Sequence, residues 1–198
     1  MNNQKSFLRP DFAQLKSASP FTPGITAEEF LDNAYSPTGI VRLSNIGRTE
    51  IEYVRRYGTK IPVDVGIRSL WPFPLRGDLV LTPDFYIKLA VNIADWSYMV
   101  ASFNTDQDLS RLLDAVSRKR FPVIAVTALG DSGVQLLLRT NASSEATWTA
   151  AYEGLRAEFA ELGAVAPGPM YEEVAALPGF YPGCEFVYVN FEAANPRG

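Results

Sequence analysis

The chain has 198 residues, 47% hydrophobic and 20% charged, a globular composition with enough length for one substantial core. It has no histidine and a single cysteine, Cys184, which excludes Ser-His and Cys-His nucleophile pairs, His-ligated zinc, multi-cysteine metal sites and an intrachain disulfide. With 22 acidic and 18 basic residues the net charge is −4, which offers phosphate backbones no general attraction, and no apolar run approaches the roughly 20 residues that cross a bilayer.

The opening stretch, "MNNQKSFLRPDF", has neither the apolar heart of a secretory signal nor the Arg-rich, acid-poor character of a transit peptide. A cytoplasmic location, or one inside a virus particle, is therefore expected. Residues 1–24 read as an extended arm, because Pro10, Pro20 and Pro23 interrupt them and no periodicity runs through them. Phe7, Phe12, Leu15 and Phe21 nevertheless give this arm more large apolar side chains than a solvated tail carries. It is expected to dock, either on its own chain or on a neighbouring subunit.

The remaining residues, 25–198, read as a single domain. Its first part is punctuated by Pro37, Pro62, Pro72 and Pro74. Two short helices are expected here, "TAEEFLDNA" with Thr26 and Glu29 in capping-box spacing, and "TEIEYVRRYG" with Thr49 and Glu52 in the same spacing and Gly58 as a stop. Strands are expected in "GIVRLS" and "IPVDVGIRSL". Trp71 and Phe73 follow beside prolines.

Regular periodicity runs from about residue 79 to 192. "FYIKLAVNI" alternates apolar and polar residues as a strand with one buried face does, and "SYMVASF" is a second strand. "NTDQDLSRLLDAVSRKR" predicts a helix with Asn104 or Thr105 as its cap, acids in its first turn and bases in its last. "FPVIAVTAL" and "GVQLLLRTN" are strands on either side of a turn. "SSEATWTAAYEGLRAEFAELG" predicts a long helix capped by Ser143 or Ser144, apolar at Trp148, Tyr152, Leu155 and Phe159, and stopped at Gly163. "CEFVYVNFE" closes the series. Strand, helix, strand, strand, helix, strand is the order of an α+β, ferredoxin-like fold, a split βαβ with an antiparallel sheet and two main helices.

The turn "LGDSGV" brackets Asp131 and Ser132 with Gly130 and Gly133. A phosphate cradle needs converging N–H groups and usually a helix N-terminus and a cation. This turn leads into a strand and carries a carboxylate, so a hairpin bend accounts for it with what is present. Asp106 and Asp108 could hold magnesium, but acids at a helix start are favoured by the macrodipole alone. Arg118, Lys119 and Arg120 at the other end of that helix could contact phosphate, and the same dipole argument places cations there.

The stretch from Ala128 to Leu155 resembles the strand, SG-containing turn, strand and helix of primase-polymerase domains and the related N-terminal domains of VirE-type proteins. That resemblance implies nucleotide chemistry with magnesium on paired carboxylates, for which this chain offers Asp106 and Asp108 with the turn Gly130 to Gly133. The pattern's second glycine is missing, and Gln135 stands where it carries its functional residue.

Trp71 and Phe73 in "SLWPFPLRG", and Phe180 and Tyr181 in "LPGFYPGCEF", combine proline stiffening with rigid aromatic rings. Interface anchors share this chemistry, and so do loops folded over their own core. Together with Phe7, Phe12 and Phe21 they are the candidate partner-binding residues. The expected function is a non-catalytic protein–protein interaction or assembly protein, such as a viral or phage particle component or an immunity-type inhibitor, with no cofactor and no metal. The alternative is the nucleotide-binding enzyme.

Overall fold

The computed structural model describes residues 10–21, 24–34, 40–45, 50–54, 67–71, 96, 98–167, 175–176 and 184–194. They form α1 (Ala13–Ala18), α2 (Ala27–Ala34), β1 (Ile40–Asn45), β2 (Glu50–Val54), β3 (Ile67–Trp71), β4 (Tyr98–Asn104), α3 (Ser110–Ser117), β5 (Val123–Leu129), β6 (Gly133–Arg139), α4 (Glu145–Glu161), β7 (Ala175–Ala176), β8 (Cys184–Val189) and α5 (Phe191–Ala194). The protein is α+β. Its strands make two antiparallel sheets, one in the order β2-β1-β3-β7 and the other in the order β4-β6-β5-β8.

In the first sheet β1 is central, with Leu43 opposite Ile51 on one side and Leu70 on the other. The helix expected from Thr49 is thus a strand. "EIEYV" alternates acid and apolar residues, and pairing with a strand a few residues upstream overrides the capping-box spacing, as tertiary pairing routinely overrides local preference. The other expected cap forms as written. Thr26 N–H donates to Glu29 Oε2 at 2.8 Å while Glu29 N–H donates to Thr26 Oγ1 at 3.1 Å, satisfying two free donors at the start of α2. The "FYIKLAVNI" strand lies outside the described residues.

The second sheet carries the core. Met99, Ala101 and Phe103 of β4 and Val134, Leu136 and Leu138 of β6 share one buried cluster with Trp148, Tyr152 and Phe159 of α4. The alternate positions are buried too: Tyr98 and Val100 on β4, Leu137 on β6 and Phe186 on β8. On that face the Phe30 ring of α2 packs, tilted, at 4.6 Å from Phe186, and the Tyr98 hydroxyl donates to the Ala34 carbonyl. A sheet covered on both sides needs apolar residues at consecutive positions, which is why "VIAVTAL" reads as a continuous run.

The expected ferredoxin-like order is not reproduced. β6 lies between β4 and β5, but the closing strand β8 pairs with β5, Ala125 opposite Val189, where the ferredoxin-like order would set it beside β4. The chain from Leu162 to Cys184 is long enough to reach either edge. β8 takes the edge where α1 covers it.

Part of the segment expected as an extended arm is helical. Residues 10–21 carry α1, started by Asp11 Oδ1 accepting from Ala13 N–H at 2.9 Å. Leu15 is 1% exposed within the core, and Phe12 packs against that cluster. Gln14 Nε2 donates to Asp114 Oδ1 and Ser117 Oγ of α3, Lys16 pairs with Glu185 at 3.1 Å, and Ser19 Oγ accepts from Val189 N–H at 3.0 Å. Six residues cannot hold a helix alone, so burial of Leu15 stabilises it.

At the β5–β6 turn, Gly130 has φ +60° and Ser132 N–H donates to the Leu129 carbonyl, the first central glycine that a hairpin bend favours. Gly133 serves a different need. A Cβ there would run into the Phe103 carbonyl oxygen of β4, so the paired backbones approach too closely for any side chain. Gly133→Val is expected to lower stability by about 1–3 kcal/mol as an overpacking change, while Asp131→Asn stays within about 0.5 kcal/mol. Urea denaturation measures both.

Candidate functional site

Both main helices end in the same hydrogen-bond pattern. At the end of α4, Gly163 N–H donates to the Ala160 carbonyl and Ala164 N–H to the Phe159 carbonyl, with Gly163 at φ +85°. At the end of α3, Lys119 N–H donates to the Val116 carbonyl and Arg120 N–H to the Ala115 carbonyl, with Lys119 at φ +56°. This is the Schellman termination, whose left-handed position glycine fills without steric cost. A lysine there costs about 1–2 kcal/mol, and among the described residues Lys119 is the one non-glycine in that conformation. Residues in sparsely populated backbone conformations occur at functional sites as well as at ordinary helix ends.

Lys119 lines a cleft of about 730 Å³ at the end of the second sheet opposite the Gly130 turn. The topology brings its wall together from distant sequence. Arg120, Phe121 and Pro122 enter β5, Arg139 and Asn141 leave β6, and Asn190 follows β8. Leu155 of α4 adds to the apolar floor. Asn190 is held there by its N–H donating to the Ile124 carbonyl at 2.8 Å and its carbonyl accepting from Ala193 N–H.

Three cations meet in this cleft, and each already leans on a neighbour. Arg120 reaches Glu158 at 3.5 Å, and Lys119 reaches Glu192 at 4.0 Å, both exposed pairs of small energetic value. Arg139 lies over the Tyr98 ring at 5.3 Å and donates to its hydroxyl at 3.1 Å. Burial pushes the Tyr188 phenol up, the Asn190 side chain pulls against it, and the Glu192 charge adds to the rise. Asn190 Oδ1 has no partner. It is the one buried side-chain polar atom among the described residues left so, at 7% residue exposure. An unmet buried acceptor costs free energy unless a ligand or water supplies a donor.

The acidic candidates are placed at the opposite end of the sheet. Thr105 Oγ1 donates to the Asp131 carbonyl at 2.9 Å, so the loop holding Asp106 and Asp108 does meet the Gly130–Gly133 turn. Thr105 and Asn104 are thereby used, Asn104 pairing with Gly133, and α3 starts only at Ser110 instead of at the cap expected. The Ser110 side chain and, at 3.0 Å, the Ser110 N–H donating to Asp108 Oδ1 hold this carboxyl below the usual range. Asp106 is exposed. No group of three or more metal-ligating side chains gathers among the described residues. A second hollow, about 360 Å³, lies along the seam of α1 and α3, and its acids Asp11, Asp108 and Asp114 accept hydrogen bonds from their own chain.

The aromatic candidates divide. Phe12 is half-buried on the core, and Phe21, 39% exposed, meets Phe191 edge-on at 4.5 Å, so both rest on their own chain. Trp71 ends β3 with its backbone paired to Arg42. Phe7, Phe73, Phe180 and Tyr181 lie outside the described residues. Cys184 is buried, and desolvation, with the Glu185 charge adding, pushes its thiol up to about 12, which keeps the nucleophilic thiolate from forming near neutral pH.

Sequence reasoning singled out Lys119 and Arg120, and Leu155 as part of a helix face, but not Arg139 or Asn190. The only local signal was a helix ending on lysine with no glycine after it. Among the described residues no helix is long and apolar enough to cross a membrane. Comparison with protein-family models, with curated proteins and with solved structures yields no match to this chain.

Proposed function

We propose that the protein is a non-catalytic interaction module that recognises another protein, as a component of an assembly or particle or as an inhibitor, within the cytoplasm or a virus particle. The observation that carries this reading is the cleft, which sets the cations Lys119 and Arg120 beside an apolar floor of Phe121, Pro122 and Leu155. These are recognition groups. They bind and orient, and none of them is a nucleophile poised beside a base. Of the acids that the competing nucleotide reading requires, Asp108 is engaged beside a helix start through its bond to Ser110.

Two measurements on the full chain test this. A protein partner should co-purify from extract of the native cell with the wild-type chain and be lost with Lys119→Gly. Adding magnesium and ATP should leave the melting temperature unchanged. A clear rise that disappears in an Asp106→Ala, Asp108→Ala variant would replace the interaction reading with the enzymatic one.

A further inference from the structure

We infer that α1 is an exchangeable arm: two copies of this chain trade their α1 helices, each filling the other's seat, and so form a symmetric dimer. This rests on the interaction reading and names a second copy of the chain as a partner. The seat is specified by what fills it. Leu15 joins the core cluster, Gln14 Nε2 donates to Asp114 Oδ1 and Ser117 Oγ, Lys16 Nζ meets both carboxylate oxygens of Glu185 at 3.1 and 3.2 Å, and Ser19 Oγ accepts from Val189 N–H. The polar groups that hold α1 all lie 100 residues or more from it along the chain. An α1 from a second copy therefore makes the same contacts, which is why such exchange is a low-cost route to dimers.

The connection to α2 decides between an arm's own seat and a neighbour's. α1 lies on the face of the second sheet that holds the core cluster, while Phe30 of α2 packs on Phe186 at the opposite face. The chain thus changes face between Ser19 and Thr26, at the edge strand β8. Pro20 and Pro23 fall in that short interval and restrict the shapes it can take, and a stiff connection lowers the effective concentration of an arm at its own seat. Extended, residues 20–25 span up to about 20 Å, enough to reach a copy lying edge to edge. The hold on the home seat is also light, since a six-residue helix is not stable alone and the Lys16–Glu185 pair is exposed.

The test mixes two full-length variants, Lys16→Glu and Glu185→Lys, one of them isotopically labelled. Each alone sets like charges between its arm and its seat. Held together in sub-denaturing urea and returned to buffer, they should exchange, because the arm of the Lys16→Glu copy meets the lysine of the Glu185→Lys copy while Lys16 of the latter meets Glu185 of the former. Native mass spectrometry should show mixed dimers enriched at least about threefold over the statistical share, the effect of matching two exposed pairs at once. The mixture should also melt above either variant. A single chain carrying both substitutions restores the pair and should dimerise as the wild type does, with a dimer fraction that rises with concentration, which controls for folding. A wild type that is monomeric at every concentration, mixed dimers at the statistical share, or a mixture that melts no higher than its components would each overturn the proposal. Co-purification of a different protein judges the interaction reading separately, so that reading can stand where exchange fails.

Discussion

Replacing Phe159 with alanine is expected to cost about 3–5 kcal/mol, the range for deleting a fully buried aromatic side chain. Phe159 is 1% exposed, and its ring meets Phe103 of β4 edge-on at 5.4 Å and Phe121 edge-on at 5.2 Å. It therefore joins the long helix, the first strand of its sheet and the floor of the cleft. Neither neighbouring ring can collapse into the space without leaving its own strand or turn. Urea denaturation should give a lower midpoint at an unchanged slope, and Glu158→Ala, one residue away but exposed, should move the midpoint by less than about 0.5 kcal/mol. A loss below about 1 kcal/mol for Phe159→Ala would mean that α4 is not held on the sheet as described.

Leu15→Ala should cost about 2–5 kcal/mol, although it lies in a segment whose sequence reads as a tail. The side chain is 1% exposed and belongs to the same core cluster as Trp148 and Leu138. Deleting residues 1–24 should do more than remove that burial. It uncovers the outer edge of β8, where Ser19 and Lys16 now engage Val189 and Glu185, and an uncovered edge strand pairs with whatever strand it meets. A lower melting temperature together with concentration-dependent association, read by light scattering, is the expected result. A truncated chain as stable as the full one and with an unchanged association state would reduce α1 to a decoration.

What could be read from the sequence follows from how local the cause was. The long helix was legible because all its determinants lie within it: Ser144 and Thr147 exchange hydrogen bonds at its start, Trp148, Tyr152 and Phe159 share a face, and Gly163 ends it. The hairpin was legible for the same reason. The start of α3 was misjudged because Asn104 and Thr105, both good caps by type, are claimed by partners about 26 residues or more away in the turn. "EIEYV" was misjudged because its partner strand decided its state. The edge taken by β8, the docking of α1 and the assembly of the cleft all depend on contacts between distant parts of the chain. No composition or period signals that Arg139 and Asn190 will stand beside Lys119.

The lock between α1 and β8 also sets an order of events during synthesis. Lys16 and Ser19 are made some 170 residues before Glu185 and Val189, the groups they bind. At ordinary ribosomal speeds that interval is roughly 10–30 s, far longer than helix or hairpin formation takes. Through all of it Leu15 and Phe12 have no completed sheet to cover, and β5 has no neighbour on its outer side. The nascent chain thus carries an apolar patch and an open strand at once, the combination that chaperones bind and that crowded polysomes turn into aggregates. Expression yield for this protein should accordingly respond more to chaperone supply and translation rate than its folded stability alone would suggest.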